Sequence, residues 1–318
     1  MTIQILILII GLILILLGAN FLIDGASSIA RRSGLSEFVI GLTIVGIGTS
    51  APEMVVSFIS AINGNSDMAI GNVVGSNIFN TMFILGITSI ISPLFITSTN
   101  MKRDIPMNIF VTMLLIITGL NRTILGVGEN ILTKIDGILF LLIFAGYLYI
   151  SFKKDNKEEE NESPEKSKKV FVSIILLILG FAGLIFGGKL FISSATNISK
   201  ALGVSDAFIA ITVMAVGTSL PELATCVVAA LKGKGQLALG NVLGSNISNI
   251  LLILGGASLI HPLGIESITS VDLGMILLCS IFILASAFLF KKKHIDKVEG
   301  IALIIMHLLY TFWLIYNI

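Results

Sequence analysis

Residues 36–94 read SEFVIGLTIVGIGTSAPEMVVSFISAINGNSDMAIGNVVGSNIFNTMFILGITSIISPL, and residues 205–263 read SDAFIAITVMAVGTSLPELATCVVAALKGKGQLALGNVLGSNISNILLILGGASLIHPL. The two align without a gap at an offset of 169, with roughly 26 of 59 positions identical. Apolar composition alone cannot place GTS-P-E and GN-V-GSNI-N in the same register twice. The chain is an internal duplication, and its architecture follows from how many segments each copy contributes.

The surrounding composition says what those segments are. Of 318 residues, 55% are hydrophobic and 12% charged, with a net charge of +1; an ordinary soluble domain carries about 25% charged residues. The mean hydropathy is +1.02. This argues against a soluble enzyme and against disorder, since so much apolar surface would form large exposed patches in water. The balanced charge leaves no footprint for nucleic acid. Cys226 and Cys279 lie in apolar runs and offer neither a disulfide framework nor a zinc ligand set.

Apolar stretches of about 17–25 residues read as transmembrane helices. Ten are expected, at 3–23, 38–62, 68–92, 104–120, 131–150, 170–192, 206–231, 237–261, 272–289 and 298–316. The first has no basic n-region or clear cleavage site, so it reads as a span and not a signal peptide. The one long polar segment, 151–169, reads as a solvated linker. It divides the chain into halves at 1–150 and 170–318, each holding one repeat. Placing the termini outside puts about 16 basic residues in inside loops and 4 outside. The linker is then cytoplasmic.

Five spans per half is an odd number, so the second copy must enter the membrane from the opposite side. The expected fold is an all-α polytopic membrane protein of ten transmembrane helices in two inverted-topology five-helix repeats. Inverted repeats are common in secondary transporters, with the substrate near the midplane. Some channels share the pattern.

Glu53 and Glu222 hold the same repeat position near the middle of their spans. A charge there costs about 2.5–3.5 kcal/mol on insertion scales. No basic residue lies at matching depth, and two facing carboxylates repel unless a cation intervenes. Pro52 and Pro221 cannot donate a backbone hydrogen bond, which should release carbonyls near Gly48 and Gly217. Thr49 and Thr218 lie one turn before the glutamates, beside Ser50 and Ser219. These are hard oxygen donors, suited to Ca2+ and alkali ions. Without histidine or cysteine, softer metals are disfavoured. The next span adds Asn72, Ser76 and Asn80 at i, i+4, i+8, repeated as Asn241, Ser245 and Asn249. Gly71/Gly75 and Gly240/Gly244 are GxxxG pairs that would bring this stripe close to the glutamate helix. Asn77 and Asn246 fall off the stripe and read equally well as staples or as site residues. Asp24, Asp104, Asp136 and Asp272 sit at span ends, where water or helix termini can satisfy them, and His307 reads as a packed, hydrogen-bonded histidine.

GTSAPE with GNVVGSNIFN, repeated as GTSLPE with GNVLGSNISN, resembles the two alpha repeats of the cation/Ca2+ exchanger superfamily, above all the compact prokaryotic sodium/calcium exchangers. The resemblance implies outward termini and a chamber at the repeat interface. It implies Glu53 and Glu222 as Ca2+ ligands shared with Na+, with Thr49 and Thr218 adding oxygens. Ser50 and Ser219 would contact Na+, Ser76, Ser245 and Asn80 would complete the wall, and the carbonyls of Gly46 and Ala215 would serve peripheral Na+ positions. The first span of each half would slide past the other eight. Many members carry aspartate where this chain has Asn249, so only two carboxylates line this chamber. Ca2+ exported against Na+ across the cell membrane is the leading expectation. H+ or K+ are alternative counter-ions, and a cation channel is an alternative class. No cofactor is implied; the ions are the cargo.

Overall fold

The computed structural model describes residues 2–120, 123, 126, 129–153, 168–202, 215–265, 268–289 and 293–317. Helix α1, Thr2–Ser33, and helix α7, Val170–Ala201, each run 32 residues. At 1.5 Å per residue that is about 48 Å, well over the roughly 30 Å of a bilayer core. Both extend about ten residues past the spans read at 3–23 and 170–192, because a helix satisfies its own backbone wherever it lies. They pack along one another in antiparallel fashion through glycine. A Cβ at Gly18 would lie 2.7 Å from Leu184 N and 2.8 Å from Gly180 O, so only a bare backbone permits this approach.

The span read at 38–62 is two helices. Helix α2, Glu37–Thr49, and helix α3, Ala51–Ile62, meet at an angle of 47°. Ser50 stands at the N-cap position of α3 without a side-chain capping bond, and Pro52 stands in the first turn, where a missing N–H is harmless. The carbonyl release expected from Pro52 thus takes the form of a break. Glu53 lies in the first turn of α3, at the positive end of the helix. The second copy repeats this with α8, Ala215–Thr218, and α9, Leu220–Leu231, Ser219 at the N-cap position and Glu222 in the first turn. Residues 206–214 of the corresponding span lie outside the described residues.

Helix α4, Ser66–Ile91, and helix α10, Gly235–Ile260, carry the asparagine stripes. Each opens into a π-helical turn at its last stripe asparagine, Asn80–Ile84 in one and Asn249–Leu254 in the other. Such bulges occur mostly where function displaces the regular ladder. Helix α5, Ile105–Gly119, follows a π turn at Asn100–Asp104. Helices α6, Lys134–Lys153, α11, Ser270–Leu289, and α12, Lys297–Asn317, complete the chain.

Equivalent positions of the two copies exchange partners. Strand β1, Leu94–Phe95, pairs antiparallel with β4, His294–Ile295, while β2, Ile131–Leu132, pairs with β3, Leu263–Gly264. Beyond each pair, Ile96 N donates to Lys293 O at 2.7 Å and Ile265 N to Asn130 O at 2.9 Å. Helix α4 packs on α12, and α10 on α6. Asn108 of α5 donates to Ser280 of α11 at 3.0 Å.

The distribution of polarity is that of a membrane protein. Large apolar side chains face outward, Phe171 at 74% and Leu309 at 65% exposure, while glutamates, serines and asparagines are buried. Among the described residues six helices are long and apolar enough to cross a membrane, and the bent α2–α3 pair makes a seventh. This is fewer than the ten spans expected: α5 has 15 residues, and the spans read at 206–231 and 272–289 lie only in part among the described residues.

The span-end aspartates divide. Asp136 and Asp272 close capping boxes with Thr133 and Thr269, accepting from their main-chain N–H at 2.8 Å in each case. Asp104 needs a different account. It is buried and satisfied by Arg103 Nε at 2.8 Å, Tyr147 OH at 2.8 Å and Asn100 Nδ2 at 3.2 Å. Side chains do this, and not a helix terminus, because the helical backbone already starts at residue 98 and runs through the π turn, which carries Asp104 past the first turn and into the packed interior. Asp24 pairs with Lys232 at 2.5 Å and Lys168 at 3.1 Å. His307 is packed against the rings of Phe79 and Phe83, but its Nδ1 has no hydrogen-bond partner among the described residues.

Candidate cation site

The helix breaks bring the two glutamates together from opposite copies. Ser50 Oγ donates to Glu222 Oε1 at 2.9 Å, and Ser219 Oγ donates to Glu53 Oε1 at 3.2 Å. Each N-cap serine thus serves the carboxylate of the other repeat. Ser76 Oγ adds a long contact to Glu53 Oε1 at 3.4 Å. Both glutamates are 1% exposed, and neither has a basic partner among the described residues. Thr218 lies against the Glu53 carboxyl and Thr49 against that of Glu222. Thr49 Oγ1 also donates to Asn241 Oδ1 at 3.1 Å.

The stripe helices close the cluster crosswise. Helix α3, with Glu53, packs on the Asn249–Leu254 turn, and α9, with Glu222, packs on the Asn80–Ile84 turn. Asn72 Nδ2 donates to Glu53 O at 3.1 Å and Ser57 Oγ at 3.0 Å, tying α4 to α3. In the second copy Asn241 Nδ2 reaches Cys226 Sγ, which stands at the serine's repeat position, at 3.2 Å. Ser245 Oγ donates to Gly46 O at 3.2 Å. That carbonyl also accepts from Ser50 N at 3.2 Å. Ala215 heads α8 at the matching place in the other copy.

Four buried oxygens of this cluster lack any hydrogen-bond partner among the described residues: Glu53 Oε2, Glu222 Oε2, Asn80 Oδ1 and Asn249 Oδ1. They form two repeat-equivalent pairs. Buried acceptors are nearly always satisfied, and each one left bare costs about 1–3 kcal/mol or more if charged. Among the described residues no three His, Cys, Asp or Glu side chains gather. What converges is oxygen only, two carboxylates among neutral hydroxyls and amides, the donor set of hard cations. Asn77 and Asn246, undecided from sequence, both join the surrounding network, with Asn77 Nδ2 donating to Asn246 O at 3.0 Å. Thr81, which accepts from Asn246 Nδ2 at 2.8 Å, carried no sequence signal because its repeat equivalent is Ile250.

Fold and cluster define an integral membrane protein with an oxygen-lined, doubly acidic centre built by both copies of a duplication. The sequence model of the family described as "Sodium/calcium exchanger protein" matches residues 3–153 and 172–316. The chain belongs to that family. It is 36% identical over 316 residues to a putative antiporter, CaxA, of Alkalimonas amylolytica, covering 96% of each chain. It is 34% identical to the sodium/calcium exchanger MaX1 of Methanosarcina acetivorans, covering 99% of each. Its structure resembles that of the sodium-calcium exchanger NCX_Mj with a TM-score of 0.84 and 32% identity, over 98% of each chain.

Proposed function

We propose that this protein is a secondary antiporter that exchanges Ca2+ for Na+ by alternating access. The observation that carries the reading is the set of four bare buried oxygens in two repeat-equivalent pairs. Glu53 and Glu222 serve as the Ca2+ ligands, since two carboxylates neutralise one divalent ion. Thr49, Thr218, Ser76, Ser245, Asn80 and Asn249 supply neutral oxygens, and Ser50 and Ser219 orient the carboxylates and contact Na+. The carbonyls of Gly46 and Ala215 serve peripheral Na+ positions. The ions are substrates, and the protein is a transporter and not an enzyme.

Ten spans in two five-helix halves of inverted topology complete the reading, with residues 1–150 and 170–318 as the halves and both termini outside. The reciprocal strand pairs and the reciprocal serine–glutamate bonds support it, because an exchange of partners between copies is what a two-fold axis produces. The excess of basic residues in alternate loops supports a cytoplasmic linker.

The test is uptake of radioactive Ca2+ into proteoliposomes under imposed Na+, K+ or pH gradients. An opposing Na+ gradient should drive uptake, and Glu53→Gln and Glu222→Gln should each abolish it. Equal uptake without a counter-ion gradient would indicate a channel, and uptake driven by a pH gradient alone would indicate Ca2+/H+ exchange.

A further inference from the structure

Asn77 is buried on α4, one residue past Ser76 and turned from the stripe. Its Nδ2 donates to the main-chain carbonyl of Asn246 at 3.0 Å. A carbonyl only accepts, so Asn77 must present its nitrogen there and its Oδ1 elsewhere. That Oδ1 accepts from Asn249 Nδ2 at 3.0 Å. The Asn249 amide is therefore set as well, with its nitrogen toward Asn77 and its Oδ1 without a hydrogen-bond partner among the described residues. Turning either amide over would oppose two acceptors. Because the sequence of constraints starts at a backbone atom, no hydroxyl rotation relaxes it. The other arm is looser. Asn80 Nδ2 donates to Asn246 Oδ1 at 3.3 Å, but Asn246 Nδ2 ends on the Thr81 hydroxyl, which both donates and accepts.

We propose that Asn77 is a positioning residue of the cation site, fixing the Asn249 amide so that its oxygen is free as a ligand. By offering an acceptor to position 249, Asn77 also favours a neutral donor there over an ionised carboxylate and so holds the cluster at no more than two formal negative charges. This rests on the reading of the cluster as a Ca2+ and Na+ site. Asn77 itself touches no ion; it acts through Asn249.

A double-mutant cycle tests this, with KM and kcat for Ca2+ measured in Na+-loaded proteoliposomes for wild type, Asn77→Leu, Asn249→Ala and the double variant. Losing one orienting hydrogen bond should raise KM about 3–10-fold with a much smaller change in kcat. In the Asn249→Ala background, Asn77→Leu should raise KM no further, because the two act as one unit. An equal effect in both backgrounds would assign Asn77 a purely structural role and overturn the proposal. If Asn77→Leu fails to fold, Asn77→Ser runs the same cycle. Asn249→Asp gives an independent arm: with Asn77 intact it should raise KM for Ca2+ despite the added charge, and a lowered KM would overturn the preference for a neutral donor. A wild-type protein without any Na+-driven Ca2+ uptake would overturn the functional reading and this proposal with it, whereas a normal wild type with additive variants overturns this proposal alone.

Discussion

Gly244 on α10 is the point at which the second copy's stripe helix meets the first copy's α2, and a methyl group there probes how closely the site is assembled. A Cβ at Gly244 would collide first with the Leu42 carbonyl oxygen and would lie 2.6 Å from Leu42 Cα and 2.7 Å from Leu42 C, where ordinary contact begins at 3.4 Å. All are backbone atoms, so no side chain can rotate away. Gly244→Ala must therefore push α10 from α2 by about 1 Å, since close-packed interiors have no slack of that size. The neighbouring bonds cannot survive that shift. Ser245 Oγ to Gly46 O at 3.2 Å and Thr49 Oγ1 to Asn241 Oδ1 at 3.1 Å would both stretch past hydrogen-bonding range. Overpacking costs about 1–3 kcal/mol and each lost buried bond about 1 kcal/mol. The better helix propensity of alanine offsets at most about 1 kcal/mol. The variant should be less stable by about 2–4 kcal/mol on these terms. Thermal unfolding in detergent, followed by the fluorescence of Trp313, the single tryptophan, should show a fall of several degrees in Tm. KM for Ca2+ should rise with it, because Thr49 and Asn249 lie on the two surfaces forced apart. Gly146→Ala on α6 is the control; its Cβ meets no described atom within 4 Å, and its Tm should hold or rise slightly. A Gly244→Ala protein with wild-type Tm and KM would refute the close approach and the argument built on it.

Other perturbations separate stability from transport. Glu53→Gln and Glu222→Gln should abolish Ca2+ uptake and the Ca2+-induced rise in Tm, while the ion-free protein stays at least as stable, since each replaces a buried carboxyl that has no basic partner among the described residues by a neutral amide of the same shape; a marked loss of ion-free stability would point to a structural carboxylate. Tyr147→Phe removes the 2.8 Å bond to buried Asp104 and should lower stability by about 1.5–3 kcal/mol, read as a drop in Tm with little change in KM. Asp24→Asn breaks the pairs with Lys168 and Lys232, but these groups are about a third exposed, so the loss should stay under about 1 kcal/mol and shrink further in high salt.

Much of the site was legible because duplication marks it twice. Glu53 and Glu222 stand out as midplane charges, and their repetition makes a pair of what could be two separate staples. The stripe residues follow from helical spacing alone. Asn77 and Asn246 remained undecided because their role depends on which amide atom meets which carbonyl, a contact between copies 169 residues apart. The proline signal predicted a disturbance at 48–52 but not its form, a full break that places each glutamate at a helix N-terminus. The strand pairs went unread, since two-residue strands have no period to detect.

Sequence by itself determined that the chain lives in a membrane, because its apolar fraction admits no other solvent. It also determined that the chain is a duplication, because register survives in identity, and that the two copies each set a carboxylate at the same midplane position. Only the tertiary structure decided how the copies share the work. Ser50 serves Glu222 and Ser219 serves Glu53 because the broken helices cross, and crossing is a property of packing between segments, which no local pattern encodes. The same holds for the scarcity of charge. Sequence places two acids at the centre; the fold decides that four oxygens there, two from those acids and two from stripe amides, have no hydrogen-bond partner among the described residues.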